Sequence, residues 1–258
     1  MPPGRVRPDL CAAGSPERVL SRLVIEDENG GLWIVEEISP ASVPQKERQA
    51  ELLCRLERTG LPVHSYSREK HGSWVSCESG RCRMLRPFVE GVSLERPGYA
   101  FEARRGRSMG VFLVSLRRAA RSLPADLKGP PFPLEAFIRD LLGRIRHHDP
   151  ALRPHLQPVL RRLEEHLFPV LANLPQRFCH GDFHPLNVIW SEDGVRSVID
   201  WEFCGLKTET FDAALLMGCI GMEHPQSLKG PFIPALLGEI RREGLLSPES
   251  LSVLFELV

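Results

Sequence analysis

The chain has 258 residues, and its 33 basic and 33 acidic side chains give a formal net charge of zero. A chain of this length can form one large domain or two lobes around a sizeable core. The balanced charge argues against general binding of nucleic acid or of a membrane surface, so we expect small-molecule partners. The start of the chain does not resemble a secretory signal and no apolar run is long enough to span a bilayer, which favours a cytoplasmic protein.

The cysteines are odd in number and have no CxxC spacing, which predicts reduced thiols rather than a disulfide framework. They stand at positions 11, 54, 77, 82, 179, 204 and 219. Four residues that include a glycine separate Cys77 from Cys82. We expect an ordinary hairpin at this place, in preference to a disulfide or a metal site.

The pattern of the N-terminal part predicts several strands and one helix. Two β-prone runs, 18–26 and 32–38, flank an Asn-Gly turn and predict a hairpin. Apolar residues at helical spacing predict a helix over 47–59, which a glycine ends. The runs 73–77 and 81–88 predict two more strands, joined by a turn near a Ser-Gly pair.

From about residue 95 the pattern becomes helical. Apolar residues recur at three- and four-residue steps in the segments 110–123, 134–147 and 156–170. We expect these stripes to lie in the core. Histidines at 147, 148, 155 and 166 are conceivable metal ligands, but their Arg-rich surroundings favour solvated helix faces.

A second predicted hairpin brings polar side chains together. The runs 188–190 and 195–199 are β-prone, and an Asp-Gly pair lies between them. Folding one run onto the other places Asn187, before the first strand, beside Asp200, after the second. An amide oxygen and a carboxylate are hard ligands suited to Mg²⁺. Asp182, on the loop that leads into the hairpin, can reach a substrate hydroxyl without binding the metal.

The same loop allows a different metal site. His180, Asp182 and His184 occupy alternate positions, as in a facial triad of two histidines and one carboxylate. Pro185 directly after this segment favours a loop over a strand, and the helix-rich remainder does not suit the β-barrel that usually holds such a triad.

The motif His180-Gly181-Asp182, four residues, then Asn187, with Ile199-Asp200 after a strand, resembles the catalytic and metal loops of the aminoglycoside phosphotransferase and choline kinase-like family. The resemblance implies that Asp182 is the catalytic base and that Asn187 and Asp200 are the magnesium ligands. It also implies a structural role for His180 and for Asp212, which supports the catalytic loop.

The resemblance further implies an α+β, two-lobed protein-kinase-like fold. A small β-rich nucleotide-binding lobe would span residues 1–90, and a helical lobe that carries the catalytic β-hairpin would span 91–258, with a C-terminus shorter than is usual in the family. The segment 84–89 would link the lobes and hold adenine through its backbone. The implied function is an ATP- and Mg²⁺-dependent transfer of the γ-phosphoryl group to a hydroxyl of a small molecule.

The small lobe departs from this pattern. Phosphotransferases of this fold usually carry a lysine on the strand after the first hairpin turn, and a glutamate on the next helix pairs with it. Here Glu36 stands near the lysine position and Gln49 near the glutamate position. Gly14-Ser15 is the only candidate phosphate loop before the first strand. Three interpretations stay open. Lys46 or an arginine binds the phosphates, the nucleotide site is altered, or the chain is a pseudokinase with a nucleotide-binding or regulatory role.

The hydroxyl that accepts the phosphate is left open by the sequence. Acidic and aromatic groups suited to a cationic substrate lie downstream of the motif, at Trp201, Glu202, Glu209 and Glu223. Solvated helix faces explain the same carboxylates. A sugar, an amino acid such as homoserine, and a protein serine stay open as acceptors.

Overall fold

The computed structural model describes residues 4–10 and 19–258. Five strands of the N-terminal part form one antiparallel sheet in the order β1-β2-β3-β5-β4. They are β1 Gly4–Val6, β2 Ser21–Asp27, β3 Leu32–Ile38, β4 Ser76–Glu78 and β5 Arg81–Pro87. The sequence analysis did not predict β1. The proposed Gly14-Ser15 phosphate loop lies outside the described residues.

The predicted hairpin of β2 and β3 is confirmed, and its turn is closed by a carboxylate. Asp27 Oδ1 accepts hydrogen bonds from the backbone N–H groups of Asn29 at 2.9 Å and of Gly31 at 2.7 Å. Gly30 has a φ of 80° in this turn. A glycine at that position avoids the steric cost that a side chain would bring.

The hairpin of β4 and β5 begins later than predicted. The carboxylate of Glu47 accepts hydrogen bonds from the N–H groups of Trp74 and Val75, both at 3.0 Å, so these residues are not available for a strand ladder. The predicted turn at Ser79 and Gly80 is confirmed, with φ values of 50° and 78°.

Cys77 and Cys82 form a disulfide across this hairpin, so the prediction of unpaired thiols is wrong for them. The register places the two residues directly opposite each other, with their Cα atoms 4.1 Å apart. Spacing alone did not reveal this, because a hairpin of the same length can also be built one residue out of register. Cys54, Cys179 and Cys204 are free thiols, as is the cysteine at 219.

Helix α1 covers Val43–Glu57 and packs on the sheet. It begins four residues before the predicted start, because Pro44 suits the first turn of a helix. Its buried face includes Ala50, Leu53 and Leu56, as the apolar spacing predicted. Gly60 follows it with a φ of 83°.

The remainder of the chain is mainly helical. Its helices are α2 Ala103–Ala119, α3 Ala125–Lys128, α4 Leu134–His148, α5 Arg153–Arg162, α6 Phe168–Leu171, α7 Phe211–Glu223, α8 Phe232–Arg242 and α9 Pro248–Ser252. Two small antiparallel sheets lie among them, one of β6 Gln176–Cys179 with β9 Gly205–Thr208 and one of β7 Val188–Trp190 with β8 Val195–Val198. The sequence analysis did not predict β6 and β9.

One hydrophobic core joins the N-terminal sheet to the helices, with Leu53 of α1, Phe112 of α2 and Trp190 of β7 among its members. The lobe boundary proposed at residue 90 falls three residues after β5 and stays a prediction. The segment 84–89 is not wholly a linker, because its first four residues belong to β5.

The expectation that the stripes of α4 and α5 lie in the core is wrong for most of their residues. Phe137 is 44% exposed and Val159 is 53% exposed. These helices pack against each other, and only their ends join a second small cluster that includes Leu134 and Leu167. The period of a stripe shows that a helix has an apolar face but not what covers it. Among the described residues, none of the helices is both long and apolar enough to cross a membrane.

Candidate active site

The hairpin of β7 and β8 brings Asn187 next to the end of the second strand. Val188 pairs with Val198, and the Ile199 N–H donates to the Asn187 carbonyl oxygen at 3.0 Å. Asp200 follows directly. The ladder is therefore offset by one residue from simple folding about the turn, because the register shifts at Ile189 and Trp190.

Asp182 and Asn187 are in direct contact. Asn187 Nδ2 donates to the Asp182 carboxylate at 3.0 Å and to the Asp182 carbonyl oxygen at 2.9 Å. Two acceptors at the nitrogen end orient the amide, so Oδ1 points away from Asp182. The Asp182 side chain is 29% exposed, with Oδ1 3.7 Å from Nε2 of His184.

His180 is a fully buried part of the loop. Its Nε2 lies 2.9 Å from the Ile199 carbonyl oxygen and its Nδ1 accepts from the Asp182 N–H at 3.2 Å. This pattern assigns the proton to Nε2. Burial lowers the pKa of His180 to about 3, so the ring is neutral.

Both ring nitrogens of His180 are thus engaged with the backbone, and the alternative facial triad with Asp182 and His184 is not formed. No group of three or more His, Cys, Asp or Glu side chains suited to a metal ion is found within the described ranges. This statement includes the helix histidines at 147, 148, 155 and 166.

Asp212, at the start of α7, binds the backbone of the loop that carries His180 and Asp182. Its carboxylate accepts hydrogen bonds from the His180 N–H at 2.7 Å and from the Gly181 N–H at 2.8 Å. Burial raises its pKa to about 6, against these hydrogen bonds, which lower it. The support that the resemblance implied for Asp212 is present in the structure.

Asp200 adopts a left-handed conformation, with φ 61° and ψ 57°. Such conformations are uncommon outside glycine, although aspartate tolerates them better than most residues. Trp201 is buried directly after it, donates to the Val198 carbonyl oxygen at 2.9 Å, and meets the His180 ring edge-on at 4.6 Å. The metal-ligand candidate and the loop histidine are therefore packed as one unit.

Glu36 lies on the face of β3 that looks into the cleft beside Asp200, and it is 2% exposed. Arg22 Nε donates to its Oε1 at 2.9 Å, Arg86 Nη2 lies 3.3 Å from the same oxygen, and the Tyr66 hydroxyl donates to Oε2 at 2.8 Å. These partners keep the pKa of Glu36 below its usual value although burial opposes them. The residue at the expected lysine position is therefore a buried carboxylate ion.

Helix α1 contributes a lysine to the same cleft. Lys46 Nζ lies 2.6 Å from Glu202 Oε1, so it ties α1 to the segment that carries Asp200. Glu47 faces the loop before β4, and Glu51 pairs with arginines outside the cleft. The expected pairing of a strand lysine with a helix glutamate is thus replaced by other pairs.

Of the four groups proposed for the acceptor side, Trp201 and Glu202 directly follow Asp200, and Glu223 lies at the end of α7. The charge of Asp182 and that of Glu223 both raise the pKa of Cys219 on α7, after burial, which is the larger cause. Arg96 pairs with Glu223 through two contacts, at 2.6 and 2.9 Å. Glu209 instead lies buried against Arg117, on another side of the helices.

The sequence analysis did not single out Arg22, Arg86 and Tyr66. One signal was available for Arg86. Cys82 and Met84 are buried and Arg86 continues their alternation along β5, so a charged residue stands at an inward position.

The chain is similar to several homoserine kinases. The protein of Nitrobacter hamburgensis is 26% identical over 201 residues, which cover 76% of this chain and 59% of that protein. The protein of Methylobacterium nodulans is 26% identical over 208 residues, which cover 79% and 62%. The chain thus spans about three fifths of the length of these curated relatives.

Solved kinase structures share the fold. A microcompartment-associated aminopropanol kinase superposes with a TM-score of 0.69 at 18% identity, over 98% of this chain and 80% of that one. An amicoumacin kinase in complex with AMP-PNP, Ca²⁺ and Ami has a TM-score of 0.65 at 17% identity, over 96% and 79%. The predicted α+β, protein-kinase-like fold is confirmed. The model of the phosphotransferase enzyme family matches residues 20–245, and the chain therefore belongs to that family.

Proposed function

We propose that this protein transfers the γ-phosphoryl group of ATP to a hydroxyl of a small molecule, with Mg²⁺ as the metal. The observation that carries the proposal is the joint placement of Asp182, Asn187 and Asp200 around one hairpin in a chain of the phosphotransferase family. A phosphoryl transfer needs a group that orients the attacking hydroxyl and ligands for a metal beside it.

The donor atoms fit a hard cation. The amide of Asn187 is oriented by its two Nδ2 hydrogen bonds so that its oxygen is the end turned away from Asp182. That oxygen and the Asp200 carboxylate would hold Mg²⁺, which accepts few protein ligands and is otherwise completed by phosphate oxygens and water. When bound, the metal neutralises charge on the phosphate oxygens.

Asp182 acts as the general base. The Asn187 amide holds Oδ2, which leaves Oδ1 to accept the hydrogen bond of the attacking hydroxyl. Because Asp212 fixes the backbone of the preceding two residues, the carboxylate is held in place before substrate binds. The proton passes from the hydroxyl to Asp182 as the oxygen attacks phosphorus in line with the leaving ADP oxygen.

The acceptor we propose is an amino-acid alcohol of the homoserine type. The relatives named above are homoserine kinases. In addition, the ion pair of Arg96 and Glu223 offers one charge of each sign, which complements a zwitterionic ammonium and carboxylate. The loss of that internal pair would be offset by two new charge-assisted contacts.

The experiment is a coupled assay of ADP formation with L-homoserine, other amino-acid alcohols and an amino sugar. Asp182→Asn should lower kcat by about 10²- to 10⁴-fold with MgATP binding kept. The matched control is Asp193→Asn, which changes an exposed carboxylate in the turn of the same hairpin. Wild-type turnover by Asp182→Asn would overturn the assignment of the base. MgATP binding without transfer to any of these alcohols would favour a nucleotide-binding regulatory module instead.

A further inference from the structure

The cleft face of the N-terminal sheet carries three charged residues in one row. Glu36 pairs directly with Arg22 across β2 and β3, and Arg86 of β5 stands opposite Ile34, two residues before Glu36 on the same face. Residues that are paired or diagonal in an antiparallel sheet lie close enough for long side chains to meet. Glu36 therefore has one guanidinium on each side.

The two arginines are not equivalent. Arg86 belongs to the strand on one side of β3 and Arg22 to the strand on the other. Burial lowers the pKa of Arg86, but the charge of Glu36 and, to a smaller extent, those of Tyr66 and Asp200 outweigh it and raise the pKa. Arg86 thus lies within electrostatic reach of both the buried carboxylate and the proposed metal ligand.

We propose that Arg86 is the cation that binds the nucleotide phosphates in this protein, in place of the absent strand lysine, and that Glu36 positions it. This inference rests on the proposed phosphotransferase function. A guanidinium presents five N–H donors in a planar fork, so it can hold a carboxylate with one edge and phosphate oxygens with another. A lysine ammonium in the same place would lack that geometry.

The cavity beside Arg86 has a size consistent with phosphate binding. Glu36, Lys46, Arg86 and Asp200 all line a cavity of about 40 Å³. That is room for roughly three water molecules, which is the scale of a single phosphate group. The phosphates would enter this cavity with the nucleoside outside it.

Glu36 is needed because a buried guanidinium without a counter-charge is costly. Held by Arg22 at Oε1 and by Tyr66 at Oε2, its carboxylate presents a fixed partner to Arg86. The carboxylate at the lysine position therefore does not bind phosphate itself but fixes the guanidinium of Arg86, which does. Lys46 has a separate task, since it pairs with Glu202.

The competing explanation is that both arginines merely neutralise Glu36. The two explanations differ in a matched pair of variants, Arg86→Met and Arg22→Met, because each removes one guanidinium from the same carboxylate. We would measure the dissociation constants of MgATP and of adenosine by calorimetry. Adenosine reports whether the nucleoside site is intact, and thermal unfolding reports whether the variant is folded.

We expect Arg86→Met to weaken MgATP binding by about 10- to 100-fold, which is the loss of one or two charge-assisted contacts, and adenosine binding by less than about threefold. Arg22→Met should change both by less than about threefold. Arg86→Gln, which keeps a donor for Glu36 but no charge, carries the same test if Arg86→Met does not fold. Wild-type MgATP affinity in the Arg86 variants, or an equal loss in the two Met variants, would overturn the inference.

The positioning role of Glu36 is tested by a double-mutant cycle. Glu36→Gln should weaken MgATP binding when Arg86 is present and have no further effect in the Arg86→Met background. Additive losses would refute it. If the wild type binds no MgATP, the proposed function fails together with this inference. If the wild type binds MgATP, and Asp182→Asn alone loses turnover while Arg86→Met binds normally, only the assignment of Arg86 fails.

Discussion

Gly181 lies directly before Asp182 at a closely packed position, and Gly181→Ala tests the packing of the loop that carries both residues. Its φ is +85°, in the left-handed region. A Cβ atom built there would overlap the carbonyl oxygen of Phe203 and would lie 2.7 Å from Lys207 Cε. The lysine can move aside, but the Phe203 carbonyl belongs to the segment that follows Asp200.

Gly60 provides a matched control. It has nearly the same φ, +83°, and nothing lies within 4 Å of a Cβ built on it. Alanine costs roughly 1–2 kcal/mol at either position for the left-handed backbone. At Gly181 the overlap adds about 1–3 kcal/mol, as is typical of overpacking in a filled interior. We therefore expect a loss of about 2–5 kcal/mol for Gly181→Ala and about 1–2 kcal/mol for Gly60→Ala.

The free energy of unfolding is measured by urea denaturation of both variants and of the wild type, with the slope of the transition compared to check two-state behaviour. Turnover gives a second readout, because a displaced Phe203 would shift the segment that holds Asp200. Losses that agree within about 0.5 kcal/mol would show that Gly181 is required only for its backbone conformation. The inference that the loop packs closely on Phe203 would then be wrong.

Two further predictions concern the metal and the loop histidine. In Asp200→Asn, the asparagine tolerates the left-handed conformation but lacks the charge. The substitution should therefore abolish the enhancement of ATP binding by Mg²⁺ and leave metal-free ATP binding unchanged. An unchanged Mg²⁺ dependence in a binding titration would exclude Asp200 as a ligand. The folded-state pKa of His180, about 3, lies below that of an exposed histidine. As the pH drops, the unfolded chain therefore binds the proton first. The free energy of unfolding should fall between about pH 6.5 and pH 3, by about 5 kcal/mol at most. Urea denaturation across this window should show a shallower pH dependence for His180→Gln, and an identical profile would contradict a buried neutral ring.

Much of the candidate site was predictable because it is local in sequence. Asn187, the hairpin and Asp200 lie within fourteen residues, and turn chemistry alone brings the two ends together. The register shift at Ile189 moved the ladder by one residue without separating the polar groups. The hydrogen bond from Asn187 to Asp182 is also local, since Asp182 stands only five residues before Asn187.

Elements that depend on distant partners were predicted less well. Strands β6 and β9 pair with each other across about thirty residues, and neither has a strong pattern of its own. The apolar stripes of α4 and α5 were assigned to the core, although Phe137 and Val159 of these stripes are exposed. Hydrophobic periodicity identifies a helix face, but only the topology decides what the face meets.

The sequence by itself determined which oxygen-bearing side chains stand at the hairpin and at what spacing, and hence the kind of reaction that we propose. It also revealed that Glu36 stands where a lysine is usual. Only the tertiary structure decided what Glu36 means, because Arg22 and Arg86 come from strands on either side of β3 and reach it through the sheet. A charge takes its role from its neighbours, and in a sheet those neighbours are distant in the chain.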